Sequence, residues 1–513
     1  LTWIKSRTHG GNHNLIDTVR GSSYVLESDG TGAQGTNTGQ FTFNNNGFTI
    51  NNVAAWDINQ NNQNYASWTF RKAPGFFDVV TYTGDGTTGR EISHNLGSTP
   101  ACMIIKRSNL ASSWQVYHQN SDGVLELDNT NAKNVGQMPY NFGNDVVHIS
   151  PTATGFTVGT DLNTSGSTYI VYLFAHDAQD FGTDSDESII KCGSYTGNGS
   201  TEVDITLGWE PQWVMIKNAT DTGGDPLKCA WNVIDVMRGW TADGIANYVS
   251  ANDSDAESQL ATITPKANGF SVSSPNTGDS GDTYIYMAIR RPHKPAEEFA
   301  ATDLYYEAYN AGYTGGTINS GFSPDMTWGL PTNLYSRARF DTRLTAKKSS
   351  GFAYSFLQSF YTAVESTTTS YNGVSFNKVS NAFVTQQTGW AGYAYQNTSF
   401  NYRHLAWRRA PGFFDVTTYT GVDTNNTQIA HNLGVVPEMI WAKSRSNAQS
   451  WSVLTYDGTT GRQLSLNANS SGATPPFGSI WGNGSSFVPP TSSVFTIGDY
   501  SNINTSGATY IAY

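Results

Sequence analysis

The chain has 513 residues and a formal net charge of −12, and only 14% of its residues are charged. That length allows several domains of roughly 100–200 residues each. No Lys/Arg-rich run offers the basic stripe a nucleic-acid binder uses to neutralise phosphates, and no apolar run reaches the roughly 18 residues of a membrane-spanning helix. The 14 Trp, 27 Tyr and 25 Phe exclude a disordered chain.

Short β-branched and aromatic runs separated by Gly, Ser, Thr and Asn recur along the whole chain. They predict an all-β protein. Taken in chain order, "LTWIKSR" opens at Leu1, "LIDTVRG" follows at Leu15 and "GFTI" at Gly47. "RKAPGFFDV" at Arg71 then leads into "VTYTGDGTTGREISHNLGSTP". After Pro100 come "ACMIIKR", "SWQVYHQ" and "GVLELD", and the segment closes on "GFTVGTDLNTSGSTYIVYLFAH" from Gly155. In that closing strand Tyr169, Val171 and Leu173 alternate with Ile170, Tyr172 and Phe174. Both faces are apolar, as expected of a strand covered on each side.

The pattern then repeats. Pro100, Pro211, Pro324 and Pro437 lie 111, 113 and 113 residues apart, each three residues after a glycine (Gly97, Gly208, Gly321, Gly434). Trp114, Trp231 and Trp451 follow at comparable depth. "RRAPGFFDV" at Arg408 restates the phrase at Arg71 at an offset of 337 residues. Five units are predicted, at 1–75, 76–180, 181–300, 301–412 and 413–513. The first and last are incomplete, units one and four resemble each other, and so do two and five. Each is expected to be a β-sandwich of the jelly-roll kind. Together they would form a tandem array joined end to end. The chain begins at Leu1 without a signal peptide. The native polypeptide is expected to extend beyond both ends, or another chain to supply the strands the first unit lacks.

The "APGFFD" phrases read as junctions. Pro74 and Pro411 end a strand, and the pairs Phe76/Phe77 and Phe413/Phe414 are expected to be buried at the seam between units. The histidines of "HNLG" at His94 and His431 read as turn elements. Unit three places Ile205 in the same frame, and Asn and Gly accept the backbone conformations a turn needs. His9 and His13 flank "GGN", which favours a loop over a metal-binding helix. The acidic stretches at Asp184 and Asn252 lack the spacing of a calcium loop. Cys102, Cys192 and Cys229 are expected as buried thiols, although Cys192 and Cys229 fall in one unit and could pair. No catalytic, cofactor or metal site is expected. Trp240, Trp390, Tyr393, Tyr395 and Trp481 sit in loop-like text and are candidates for stacking on sugar rings, against the alternative that they pack cores.

The phrases at Trp407 to Gly421, Ile92 to Tyr117, Asp17 to Gly21 and Gly155 to Asp177 together resemble a tandem repeat of unassigned function. That repeat is found in large structural and tail-fibre-like proteins of marine bacteriophages. The resemblance covers nearly the whole chain, with departures in units three and four. It implies a virion appendage assembled in the host cytoplasm, with other virion proteins as partners, a homo-oligomeric assembly and contact with host-surface polysaccharide. It supplies no catalytic residues. The alternatives are a capsid decoration or head-fibre protein, a bacterial surface adhesin, or a glycan-cleaving tailspike.

Overall fold

The structure is a computed structural model. It describes residues 1–513 except 37, 52–55, 57, 182–186, 200–201, 222–225, 241–245, 261, 267, 274, 291–300, 311–315, 323, 332–337, 344–347, 350–351, 354, 360–361, 368–372, 376–381, 387–400 and 469–476. The protein is an all-β array of two-sheet modules, and every sheet is antiparallel. Within each unit a central strand follows the repeat proline: Thr2–Ser6, Cys102–Arg107, Pro211–Asn218, Met326–Pro331 and Met439–Ser444. A closing strand pairs with it: Tyr65–Thr69, Thr168–Phe174, Thr283–Arg290, Tyr402–Trp407 and Thr509–Ala512. In units two to five an opening strand (Phe77–Thr83, Ile190–Thr196, Tyr305–Asn310 or Thr417–Thr420) pairs with the other edge of the closing strand. A smaller sheet covers one face. In unit two it is Arg90–Ser93 with Gly155–Val158, and in unit five Thr427–Ala430 with Val494–Ile497.

The "APGFFD" phrase is the turn that carries the chain from one closing strand to the next opening strand. Ala73 N–H donates to Phe77 C=O and Gly75 N–H to Leu96 C=O, with Gly75 at φ +70°. The second copy is built alike, with Ala410 bonded to Phe414, Gly412 to Leu433, and Gly412 at φ +74°. A left-handed residue is needed at this position, and glycine takes it without steric cost.

The modules do not stand end to end with separate cores. The central sheet of each unit is apolar on both faces because each face has its own cover. In unit three Val214 and Ile216 face the unit's own small sheet, among Phe270, Val272 and Trp240. The alternate residues Trp213 and Met215 enter a different core, shared with Trp3, Leu15 and Phe70 of unit one and Trp114, Val116 and Tyr172 of unit two. Unit three therefore packs back onto unit one, which is not its neighbour in sequence. Units one to three close into a ring around a common apolar centre. Units four and five share a second core made of Met326, Phe340 and Leu357 with Val416, Trp451 and Ile511.

The expectation that both Phe of each pair are buried needs correction. Phe77 is fully buried and packs against Phe70 and Phe174. Phe76 and Phe414 are only partly covered, and Phe413 is 43% exposed. Phe77 starts a strand and points into the core, Phe414 makes an isolated bridge to Ala410 and packs partly buried against the shared core of units four and five, and the first Phe of each pair lies over the turn. Phe76 shares a groove with Trp213 and Ile289 of unit three. The second group has two modules among the described residues, and Phe413 has no third module opposite it. Phe77→Ala should therefore cost about 3–5 kcal/mol. Phe413→Ala should cost no more than about 1 kcal/mol. Chemical denaturation of the two variants checks the contrast.

Candidate functional site

Besides ion pairs inside single modules, such as Arg20 with Asp17 and Arg238 with Asp235, much of the buried polar chemistry of this protein lies at the seams between modules. Four of the five central strands, all but Met326–Pro331 of unit four, carry a lysine on the same face as the residues of the shared core, and the lysine is itself buried: Lys5, Lys106, Lys217 and Lys443. A buried ammonium needs acceptors. Each lysine finds one on another module. Lys5 Nζ donates to Ser254 C=O at 3.1 Å, from unit one to unit three. Lys106 Nζ donates to Thr31 C=O at 2.8 Å, from unit two to unit one. Lys217 Nζ donates to Thr130 C=O at 3.0 Å, from unit three to unit two. These three contacts form a closed cycle. Lys443 Nζ reaches Thr362 C=O at 3.2 Å, from unit five to unit four. Burial pushes Lys106, Lys217 and Lys443 down to about 8 and lowers Lys5 as well.

Other bonds follow the same cycle. Trp114 Nε1 donates to Glu27 C=O at 2.8 Å, and Trp231 Nε1 to Glu126 C=O at 2.8 Å. In the second group Trp451 Nε1 donates to Gln358 C=O at 2.9 Å. His13 stands at the corresponding point of unit one, buried, and accepts Trp3 Nε1 at 2.9 Å. Backbone bonds run both ways: Gly11 N–H to Ser254 C=O and Ser112 N–H to Thr31 C=O follow the lysines, and Gln34 N–H to Ser108 C=O, Lys133 N–H to Ala219 C=O and Glu257 N–H to Arg7 C=O run the opposite way round. Glu365 N–H to Arg445 C=O repeats the pattern between units four and five. Arg7 and Glu257 add a forked ion pair to both carboxylate oxygens at 2.8 and 2.7 Å, and Arg445 donates from two nitrogens to the one oxygen Oε2 of Glu365 at 3.0 and 2.8 Å. Such forked pairs fix orientation as well as charge.

The second group joins the ring through Glu210, the residue before the repeat proline of unit three. Its buried carboxylate meets Arg343 at 2.7 Å and also Arg409. Arg343 in turn holds Asp325 at 3.0 Å, and Arg409 holds Asp415. The aspartate of the "APGFFD" phrase thus has a defined task. Asp415 Oδ2 accepts Asn432 N–H at 2.8 Å, and Asp78 Oδ2 accepts Asn95 N–H at 2.8 Å. This ties the junction to the "HNLG" turn. His94 Nδ1 accepts Leu96 N–H at 3.2 Å and His431 Nδ1 accepts Leu433 N–H at 3.3 Å, which makes both histidines part of the turn.

A family model described as "Domain of unknown function (DUF7483)" matches residues 1–292 and residues 298–513. The chain belongs to the DUF7483 family. No curated protein and no solved structure matches it. The division between the two DUF7483 matches falls where the ring ends, between the strand closing at Arg290 and the strand opening at Tyr305.

Two of the residues expected to contact sugar are core residues of the DUF7483 modules. Trp240 is 2% exposed and donates to Ile263 C=O, and Trp481 is 1% exposed and donates to Gln463. A Trp this large packs the module interior once its N–H has a partner. Trp390, Tyr393 and Tyr395 lie outside the described residues. All three cysteines are free, buried thiols, so Cys192 and Cys229 do not pair, and burial pushes Cys102 up to about 12. Among the described residues no group of three or more His, Cys, Asp and Glu is placed to hold a metal. The lysine cycle was missed in the sequence. Its signal is a lysine at the same place in four otherwise apolar strands, "WIK", "IIK", "MIK" and "WAK".

Lys106 and Lys217 lose their protons near pH 8 when folded and near 10.5 when unfolded. Between these values the unfolded state binds more protons, so stability should rise with pH from about 8 to about 10. Above that window the buried tyrosines, whose ionisation is pushed upward, act in the opposite sense. Denaturant midpoints should show this rise, and Lys106→Met and Lys217→Met should each flatten it. At the other seam, Glu210→Ala leaves Arg343 and Arg409 facing each other. It should cost about 3 kcal/mol. Calorimetry should then show units four and five melting apart from the ring.

Proposed function

We propose that this chain is a non-enzymatic structural protein of a bacteriophage virion, an array of modules in a tail fibre or similar appendage. The observation that carries the proposal is how the buried charged side chains are used. Lys5, Lys106, Lys217, Glu210, Arg343 and Arg409 all bridge one module to another. Polar groups committed to permanent seams build an assembly part. A glycan-cleaving enzyme instead needs a pair of carboxyl groups facing a bound sugar across roughly 5–10 Å. The repeat phrases, which resemble those of tail-fibre-like proteins, point the same way. Other virion proteins are the proposed partners, in a homo-oligomeric assembly on the particle surface. For contact with host-surface polysaccharide the candidates are now Trp390, Tyr393 and Tyr395. A capsid decoration or head-fibre protein, or a bacterial surface adhesin, is the second reading, because the same seams would serve a different anchoring point.

Immunogold electron microscopy decides among these readings. An antibody against the folded chain should label an appendage of purified phage particles. Labelling of the capsid shell would favour the decoration reading, and labelling of uninfected bacterial surfaces would favour the adhesin.

A further inference from the structure

We infer that the free edge of the Tyr65–Thr69 strand is a binding site for one more β-strand. That strand would carry the pattern of the repeat's own opening strand, with a tyrosine that stacks on Tyr65. In units two to five the closing strand lies between two partners, its central strand and its opening strand. In unit one, among the described residues, it pairs with Thr2–Ser6 alone and ends its sheet. Phe70 and Asn64 bond to the central strand through Leu1 and Arg7. By the alternation of an antiparallel ladder, Tyr65, Ser67 and Thr69 turn their N–H and C=O groups to the open side. A row of this kind is a template for strand addition.

The side chains specify what would fit. In units two, three and five the first tyrosine of the closing strand stacks on a tyrosine of the opening strand. The pairs are Tyr169 with Tyr82, Tyr284 with Tyr195 and Tyr510 with Tyr419, with ring centroids 4.9–5.1 Å apart and interplanar angles of 5–11°. Tyr65 is the corresponding residue of unit one. It is half-buried against the unit-one core and accepts Gln60 N–H at 2.9 Å, and among the described residues its aromatic contact is the edge of His9, at 6.3 Å, with no stacked tyrosine. Beside it runs a groove of about 480 Å³, lined by Trp68, Phe70, Phe76, Trp213 and Met237 among others. The unit-two register transfers directly, because Phe77 faces Phe174 and Tyr82 faces Tyr169 there. The incoming Phe would face Phe70, Asp would face Thr69, two apolar residues would face Trp68 and Ser67, and Tyr would face Tyr65. The four opening strands of this chain are already paired within their own units. The occupant we propose is a strand of that pattern donated by another polypeptide chain.

The test uses the full chain and a synthetic peptide of sequence GFFDVVTYTG, that of residues 75–84. Hydrogen exchange should slow at the Tyr65, Ser67 and Thr69 amides when the peptide is added and stay unchanged with a scrambled peptide. A peptide carrying Tyr82→Ala should bind roughly three- to tenfold more weakly, the loss expected for one aromatic pair. Because that change is made in the peptide, it cannot disturb the fold of the chain. Absence of protection, or equal protection by the scrambled peptide, would overturn the inference. So would protection of these amides in the chain alone that grows with its concentration, since copies would then be pairing edge to edge. Equal binding of the Tyr82→Ala peptide would overturn the tyrosine register.

Discussion

The whole arrangement depends on one constraint: a β-sheet that is apolar on both faces must be covered on both. Each module supplies one cover, its small sheet, and leaves the other face for its neighbours. Trp213 and Met215 alternate with Val214 and Ile216 along a single strand, and the two sets enter different cores. Two modules would leave part of each outer face wet. Three can close around a common centre, and the right-handed twist of the sheets suits wrapping about an axis better than lying flat. In this way an array repetitive in one dimension acquires contacts between units that are not adjacent in sequence.

The seams are made with little demand on the identity of the partner. The lysines and tryptophans donate to main-chain carbonyls of Ser254, Thr31, Thr130, Glu27 and Glu126. A carbonyl is present whatever the side chain. This explains how unit three can depart from the "HNLG" and "APGFFD" wording while the ring still closes, and how unit four can do so while keeping its seam with unit five. Side chains decide in fewer places: Arg7 with Glu257 inside the ring, Arg445 with Glu365 between units four and five, and Glu210 with Arg343 and Arg409 where the two groups join.

Much of the single module was legible in the sequence. The proline spacing marked the central strands, the alternation at Tyr169 to Phe174 showed a strand covered on both sides, and the turn role of His94 and His431 followed from their frame. The ring was not legible. Period-two alternation reveals that a face is buried but carries no information about which unit buries it. The same gap misplaced the aromatics. Trp240 and Trp481 sit between Gly-rich turns, which suggested exposed loops, but their indoles fold inward and bond to Ile263 and Gln463. It also blurred the two Phe of the junction, because the turn bonds from Ala73 to Phe77 and from Ala410 to Phe414 decide which ring faces the core, and they are not visible in the wording. Lys106 in the middle of "CMIIKR" carried the missing information. A charged residue on a buried face implies a foreign acceptor.

The closed lysine cycle bears on how such a chain can change in length over evolutionary time. Deleting or inserting one module would leave one ammonium without its carbonyl and one apolar face without its cover, and it would break the cycle for all three members. Gaining or losing three modules at once leaves every cycle whole. The near-verbatim return of "APGFFDV" after 337 residues matches that step. Exchange between like positions of the two groups would keep each seam's donors and acceptors matched, whereas a slip of one module inside the ring would leave a lysine and an apolar face without their partners.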